Sequence, residues 1–245
     1  MAQRLHAALM PDYNGKATAY WWLMLTVGTT CFAAALLSVA QLPMYALWQI
    51  VGGVMLAMVT ALFPLKIPRT NQVFSVGDVF IVLLLLAHGP EAGCLAAALE
   101  ALVSSWRSTK RWTTRLGSAT IAAVSMWACG HLLHMGIELW ALDASERGVM
   151  LVMVVMVFGA VYFACNALLM SMVAMLKRSL PFNTGVVLSV LGWVGAASAG
   201  ASAIAALLFV TQRLAGIGVT LTLLDRKSTR LNSSHERLSR MPSSA

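Results

Sequence analysis

The chain has 245 residues, of which 59% are hydrophobic and 11% are charged, and its mean hydropathy is +0.78. A soluble domain of this length does not need so much apolar surface, so the composition predicts a polytopic membrane protein. The net charge of +8 is typical of loop charge that orients membrane helices, so we expect the lipid bilayer as a partner and no nucleic acid.

The first apolar span runs from Tyr20 to Ala40 and follows a mixed amino-terminal segment, residues 1–19. The small residues Ser38-Val39-Ala40 resemble a cleavage site, which leaves a removed signal peptide as an alternative. The apolar stretch is long for a signal peptide and more spans follow, and both facts favour an uncleaved signal anchor. A second span, Met44 to Leu65, comes next.

An apolar hairpin from Phe74 to Trp106 follows, with its turn at His88-Gly89-Pro90-Glu91. We count its two arms as the third and fourth spans. Each arm has about fifteen residues, fewer than the roughly twenty that a membrane-spanning helix needs. The hairpin therefore either spans the bilayer fully or is re-entrant and covered by protein. In both cases its two ends lie on the same side.

The remaining apolar segments complete an all-α transmembrane helix bundle over residues 20–224, with about seven complete spans. They are a fifth span from Leu116 to Met135, a sixth from Gly148 to Leu176, a seventh from Gly185 to Thr211, and a truncated eighth from Leu214 to Leu224. In the seventh, small residues recur every fourth position, which lets helix backbones approach closely and predicts a central place in the bundle. These residues are Gly192, Ala196 and Gly200, and Gly195, Ala199 and Ala203.

Positive charges are distributed unevenly among the predicted loops. Before residue 225, ten of the twelve Lys and Arg residues lie on one predicted side, and only Arg147 and Arg213 lie on the other. Because positively charged loops stay in the cytoplasm, the bias predicts a cytoplasmic amino terminus. The ten are Arg4, Lys16, Lys66, Arg69, Arg107, Lys110, Arg111, Arg115, Lys177 and Arg178.

Residues 225–245 differ from the rest of the chain, with six serines, five basic residues and no apolar periodicity. The segment resembles translated read-through of a sequencing adapter. We therefore expect a non-native or disordered tail, and a fragment whose continuation is missing.

The familiar catalytic motifs, Walker A, GxSxG, HExxH and GxGxxG, are absent from the sequence, and no polar segment before the tail leaves room for a catalytic domain. We therefore expect neither an enzyme nor a cofactor. Four cysteines stand singly in apolar runs without CxxC spacing, which predicts buried thiols and neither a zinc site nor a redox pair. They are Cys31, Cys94, Cys129 and Cys165.

Two carboxylates lie inside the hairpin, one on each arm. Asp78 precedes the turn and Glu100 follows it at a similar distance, so the two side chains should reach similar depth. A charge at mid-bilayer costs about 2.5–3.5 kcal/mol, which marks the pair as a candidate ligand- or proton-sensing site. One carboxyl should hold a proton or pair with a cation such as Arg107. The alternative is that both lie shallow enough to reach headgroup water.

Asn166, in the sixth span, is the remaining candidate of this site, and its amide either bonds across to another helix or contacts a ligand. Near the opposite side, His131 and His134 share a helix face, and His88 lies in the hairpin turn. These histidines are weak candidates for a metal or proton site. The alternative is that they hydrogen-bond only to water or backbone, so we expect no metal site.

The order of these features resembles the MASE-like amino-terminal membrane sensor regions of bacterial signalling proteins of the GGDEF and HD-GYP types. The resemblance is carried by residues 74–78 (FSVGD), the Gly-Pro-Glu-Ala turn at 89–92, the arm from Glu100 to Arg107, and Val161-Tyr162-Phe163 with Asn166. It implies a multi-pass protein of the bacterial inner membrane that senses a small molecule or a proton and controls a cytoplasmic output domain. It also implies a possible homodimer through the membrane domain.

Two other functions fit the same sequence. A small-solute transporter, or the substrate-binding membrane subunit of one, also uses short Gly/Pro-interrupted segments around a buried acid, although no inverted repeat is evident. A scaffold without a ligand would instead have Asp78 and Glu100 at shallow positions.

Overall fold

The computed structural model describes residues 13–63, 65–66, 73–74, 77–142, 144, 146–178, 192 and 194–214. Seven helices dominate this part of the chain: α1 (Gly15–Ala40), α2 (Met44–Ala61), α3 (Gly77–His88), α4 (Pro90–Ser108), α5 (Trp112–Leu139), α6 (Gly148–Arg178) and α7 (Val194–Leu214). A short antiparallel pair, β1 (Leu65–Lys66) and β2 (Val73–Phe74), lies between α2 and α3. The all-α prediction therefore holds apart from this pair.

Five of these helices are long and apolar enough to cross a membrane: α1, α2, α5, α6 and α7. Many of their large apolar side chains point outward, and Val149, for example, is 74% exposed. Outward-facing apolar residues on long helices are what a lipid environment requires. The described part of the chain is therefore that of a multi-span membrane protein.

The predicted count of about seven complete spans and an eighth is not confirmed. α3 has 12 residues, or about 18 Å of helix, which is short of the roughly 30 Å hydrocarbon core. α4 has 19 residues but carries Glu91, Glu100 and Arg107, and it is not among the five candidate spans. The predicted start of an eighth span, Leu214, is instead the last described residue of α7. Residues 215–245, including the predicted tail, lie outside the described residues.

The hairpin of α3 and α4 forms the centre of the bundle. Gly89 joins the two helices with a φ of +94°, a left-handed conformation that favours glycine, and Pro90 then begins α4. Gly93 lies against Leu85 so closely that a Cβ there would be 3.0 Å from the Cβ of Leu85. Both hairpin helices contribute mostly buried residues to the largest apolar core.

α1, α2 and α5 pack on this hairpin, and α6 packs mainly on α5 and α1. α2 approaches α3 at Gly53, which lies against Leu84, and α1 approaches α5 at Gly28, which lies against Thr120. α5 packs on α4, where Gly130 touches Pro90. Since glycine lacks a side chain, each of these positions lets two helices come closer than larger residues would allow.

Contacts between helix ends show which ends lie together. Asn14 donates to the Leu176 carbonyl at 2.6 Å, and Trp21 donates to the Thr113 carbonyl at 2.8 Å. The start of α1, the start of α5 and the end of α6 therefore share one end of the bundle, which we call the basic end. The α3–α4 turn lies at the opposite end, the turn end, together with the start of α2 and the end of α5.

The small residues of α7 pack differently from the prediction. Gly195 is buried and lies near Phe163 of α6, but Ala196 and Gly200 are exposed to the outside. The close contact with α6 is made instead by Ser198 and Ser202, which meet α6 at Gly159. Serine is small enough to allow the same close approach of two helices. Ser198 and Ser202 lie on the face of α7 that points toward α6, so they make the contact.

Candidate functional site

Three ionisable side chains from three helices come within electrostatic range of one another. Asp78 of α3 interacts with Glu100 of α4. Tyr162, from the middle of α6, interacts with both carboxyl groups. We call Asp78, Glu100, Tyr162 and Asn166 the polar cluster, because Asn166 follows Tyr162 by one helical turn on the same face.

The symmetry of the hairpin explains why the two carboxyl groups meet. Asp78 stands 11 residues before Gly89 and Glu100 stands 11 residues after it. At about 1.5 Å of rise per residue, both lie roughly 16 Å from the turn. The tight turn at Gly89 and the contact of Gly93 with Leu85 hold the two helices antiparallel, so equal spacing along the chain becomes proximity in space.

Asn166 adds an unsatisfied acceptor to the cluster. Its Oδ1 is buried and has no hydrogen-bond partner within the described part of the chain. A buried polar atom without a partner costs about 1–3 kcal/mol, so the site gains stability from a group that donates to this oxygen. A protonated carboxyl, water or a bound ligand would supply such a donor.

The surroundings of the cluster are apolar and closely packed. Tyr162 also lies within electrostatic range of the thiols of Cys94 and Cys129, and the Cys94 thiol donates to the Ala123 carbonyl at 3.5 Å. The four polar-cluster side chains nevertheless keep intermediate exposure. Cys94 and Cys129 are themselves buried, as the isolated cysteines predicted.

The structure does not bring Arg107 into this cluster. Arg107 is exposed in the last turn of α4, and the described residues form no ion pair between it and Glu100. The seven-residue spacing puts the two on one helix face, but Arg107 lies about 10 Å nearer the basic end. Arg107 therefore does not neutralise the negative charge of the Asp78–Glu100 pair by an ion pair.

Tyr162 is the member of the cluster that the sequence did not single out as a site residue. In a long apolar span, one tyrosine among valines and methionines resembles any packing aromatic. The available signal was its spacing, since Tyr162 precedes Asn166 by four residues and so shares a face with the most polar residue of the span. Only the three-dimensional structure reveals that Tyr162 lies within electrostatic range of both carboxyl groups.

The weak histidine candidates lie at the turn end, away from the polar cluster. His131 Nε2 lies 3.8 Å from Glu91 Oε1, and the Trp127 ring stacks on the imidazole with centroids 4.6 Å apart. His88 and His134 line the same cleft. Among the described residues, no group of three or more His, Cys, Asp or Glu side chains is arranged to hold a metal ion.

The polar cluster can bind a proton. Its two carboxyl groups, phenol and amide oxygen offer oxygen atoms only. Uptake of a proton would change the charge of the Asp78–Glu100 pair and thereby the repulsion between α3 and α4. Comparison of the chain with family models, with curated proteins and with solved structures finds no match.

Proposed function

We propose that this chain is the membrane sensor and anchor region of a bacterial signal-transduction protein, without catalytic activity of its own. The observation that supports this function is the polar cluster, where Tyr162 of α6 lies within electrostatic range of carboxyl groups from both arms of the central hairpin. Ionisable residues among membrane helices are costly and mark functional positions. The resemblance to MASE-like regions supports the same proposal.

The proposed signal begins with the charge of the Asp78–Glu100 pair. When both groups are ionised, they repel each other and strain the packing of α3 on α4. Binding of a proton or a ligand removes that repulsion and shifts the hairpin relative to α6. Gly159, three residues before Tyr162, contacts Ser202 of α7 closely, so a movement of α6 is passed on to α7.

The experiment measures the distance between the hairpin and α6 in nanodiscs. Spin labels are placed at Ser108→Cys on α4 and Met172→Cys on α6, both exposed positions, after the four native cysteines are replaced by alanine. We expect the distance distribution to change between pH 8 and pH 5, and the Glu100→Gln substitution to abolish the change. Glu146→Gln, an exposed carboxylate outside the cluster, is the control and should keep it. A distance that does not respond to pH would refute the sensor proposal.

The same preparation separates the sensor from a transporter. A transporter built on the carboxyl pair would move protons with its solute, whereas a sensor binds protons without passing them across the bilayer. We therefore expect proteoliposomes with this chain to hold an imposed pH gradient as long as empty liposomes do. If the pH gradient collapses faster with this chain, and the Asp78→Asn substitution prevents that faster collapse, the result would favour a transporter.

A further inference from the structure

A large open groove lies at the turn end, between α2, the α3–α4 turn, the end of α5 and the end of α7. Its volume is about 1670 Å³, well above the roughly 300–1,000 Å³ of sites for small molecules. We call it the lateral groove, because it continues along α2 and α3 and opens to the side of the bundle. Its size suits a long molecule.

The groove has an apolar floor and a polar mouth. Gly52, Leu56 and Phe80 line the floor. Leu56 lies 12 residues along α2 from Met44, which corresponds to about 18 Å from the mouth and to hydrocarbon depth. The mouth is lined by Glu91, Glu138, His134 and Arg213 among others. This division along one axis matches an amphiphile with one polar end.

The mouth carries charges of both signs. Glu91 and Glu138 supply two carboxylates, and Arg213, whose guanidinium lies 5.3 Å above the Phe209 ring, supplies a cation. An anionic headgroup would meet Arg213 but be repelled by the two carboxylates. A headgroup with an ammonium and a phosphate satisfies both signs, because carboxylates accept from N–H groups and arginine binds phosphate.

Exposed aromatic residues mark the level of the mouth in the membrane. Tyr45 and Trp48, at the start of α2, line the groove and are 69% and 67% exposed. Tyrosine and tryptophan concentrate where a bilayer meets water. The mouth therefore lies at headgroup level, and the floor lies at the level of the acyl chains.

We propose that the lateral groove binds one zwitterionic phospholipid whose headgroup carries a primary ammonium. The ammonium lies between Glu91 and Glu138, the phosphate contacts Arg213, and an acyl chain lies along Gly52, Leu56 and Phe80. A primary ammonium fits better than a quaternary one, since only the former donates hydrogen bonds to carboxylates.

The test uses the full chain in bilayers with equal amounts of phosphoethanolamine, phosphoglycerol and phosphocholine lipids of identical acyl chains. The protein is extracted in mild detergent, and the retained lipids are counted by native mass spectrometry. We expect about tenfold preference for the ethanolamine lipid, the effect of roughly one charge-assisted hydrogen bond. Equal retention of the three lipids, or preference for the glycerol lipid, would overturn the proposal. Free phosphoethanolamine without acyl chains should not displace the retained lipid, and displacement would show a headgroup site without a groove.

Two glycines give a matched pair of variants that leaves the charges untouched. A Cβ at Gly52 or at Gly200 meets no atom within 4 Å, and both residues are exposed. Gly52→Phe fills the floor of the groove, and we expect it to abolish the ethanolamine preference. Gly200→Phe, on α7 outside the groove, should keep it. Retention that is the same in both variants would show that the lipid binds elsewhere.

The charged mouth is tested separately. Glu138→Gln should reduce the preference about tenfold, and Glu146→Gln, an exposed carboxylate outside the groove, should not. If Glu138→Gln fails to fold, Glu91→Gln tests the same ammonium contact by the same measurement. A preference that survives both Glu138→Gln and Glu91→Gln would exclude recognition of the ammonium by the mouth.

Discussion

Arg115 shows how a single residue can differ from neighbours of the same charge. Its Nε donates to the Thr109 carbonyl at 2.9 Å and its Nη2 to the Trp106 carbonyl at 3.3 Å. The guanidinium also lies 4.3 Å from the centre of the Trp106 ring and 5.2 Å from that of Trp112. Arg115 therefore satisfies carbonyls at the end of α4 and fixes the corner between α4 and α5.

Replacing Arg115 with leucine should destabilise this corner. We expect the free energy of unfolding to fall by about 1.5–3 kcal/mol, because two part-buried hydrogen bonds from a charged group are lost. Thermal unfolding in detergent measures the change. Lys110→Leu, at an exposed position of the same connection, is the control and should change stability by about 0.5 kcal/mol or less. Equal losses in the two variants would mean that Arg115 acts only as a surface charge.

The sequence could not distinguish Arg115 from the other basic residues after the hairpin. From the sequence, only the charge of Arg115 could be recognised, and that charge predicted a position in a loop. Its acceptors stand six and nine residues earlier in the chain, so no helical spacing indicates them. Asp78 and Glu100, in contrast, were recognisable because charge in an apolar run is conspicuous and their spacing from Gly89 is equal.

At the scale of helices, α6 and α7 approach each other closely at Gly159. A Cβ built there would clash with the Ser202 hydroxyl and would lie 2.9 Å from the Ser198 carbonyl. The Ser198 hydroxyl also donates to the Gly159 carbonyl at 3.3 Å. The two helices therefore touch through backbone and hydroxyl groups at Gly159, and Gly195 of the predicted small-residue series lies on the same side of α7 near Phe163.

A larger residue at Gly159 should force α6 and α7 apart. We expect Gly159→Val to lower the free energy of unfolding by about 1–3 kcal/mol, the usual cost of overpacking. Gly136→Val on α5 is the matched control, because a Cβ there has no neighbour within 4 Å while the change in helix propensity is the same. Thermal unfolding of both variants measures the difference. If Gly136→Val lowers the free energy of unfolding as much as Gly159→Val does, the close contact of α6 with α7 is not what makes Gly159 sensitive to substitution.

Helix type and order were predictable because long apolar runs define them, and the ends of α1, α5 and α6 lie within a few residues of the prediction. The number of membrane spans was less predictable. The sequence already showed that the arms of the hairpin are short, but the burial of α3 and α4 against their neighbours became evident only in three dimensions. Side-chain partners such as Tyr162 depend on which helices become neighbours, and periodicity carries no such information.

At the scale of the whole molecule, charge and structure together predict an orientation. Lys16, Lys110 and Lys177 all belong to the basic end, whereas Arg147 and Arg213 belong to the turn end. Because positively charged loops remain in the cytoplasm, we expect the basic end to face inward.

A membrane-impermeant maleimide tests this orientation in intact cells. Lys110→Cys should stay unlabelled until the membrane is opened, and Glu146→Cys, exposed near the turn end, should label from outside. The native cysteines are buried or half-buried, and the unsubstituted protein measures their background labelling. Labelling of Lys110→Cys from outside would reverse the orientation.

The last prediction concerns how the polar cluster couples to the stability of the bundle. Two carboxylates in electrostatic range repel when both are ionised, so a proton on either one relieves the repulsion. The folded protein should therefore become more stable as pH falls from 8 to 5. A relief of about 1 kcal/mol corresponds to roughly 2–4 °C in Tm for a chain of this size.

Asp78→Asn and Glu100→Gln each remove one of the two negative charges and with it the repulsion. Both variants should match or exceed the wild-type Tm at pH 8, and both should lose the part of the pH dependence that arises from the pair. Glu146→Gln should keep the wild-type dependence, because its carboxylate is exposed and outside the cluster. Thermal unfolding in nanodiscs at four pH values measures all four proteins. If the two cluster variants follow the wild-type curve, the carboxyl groups do not interact strongly enough to act as a switch, and charge in the hairpin does not control the packing of α6.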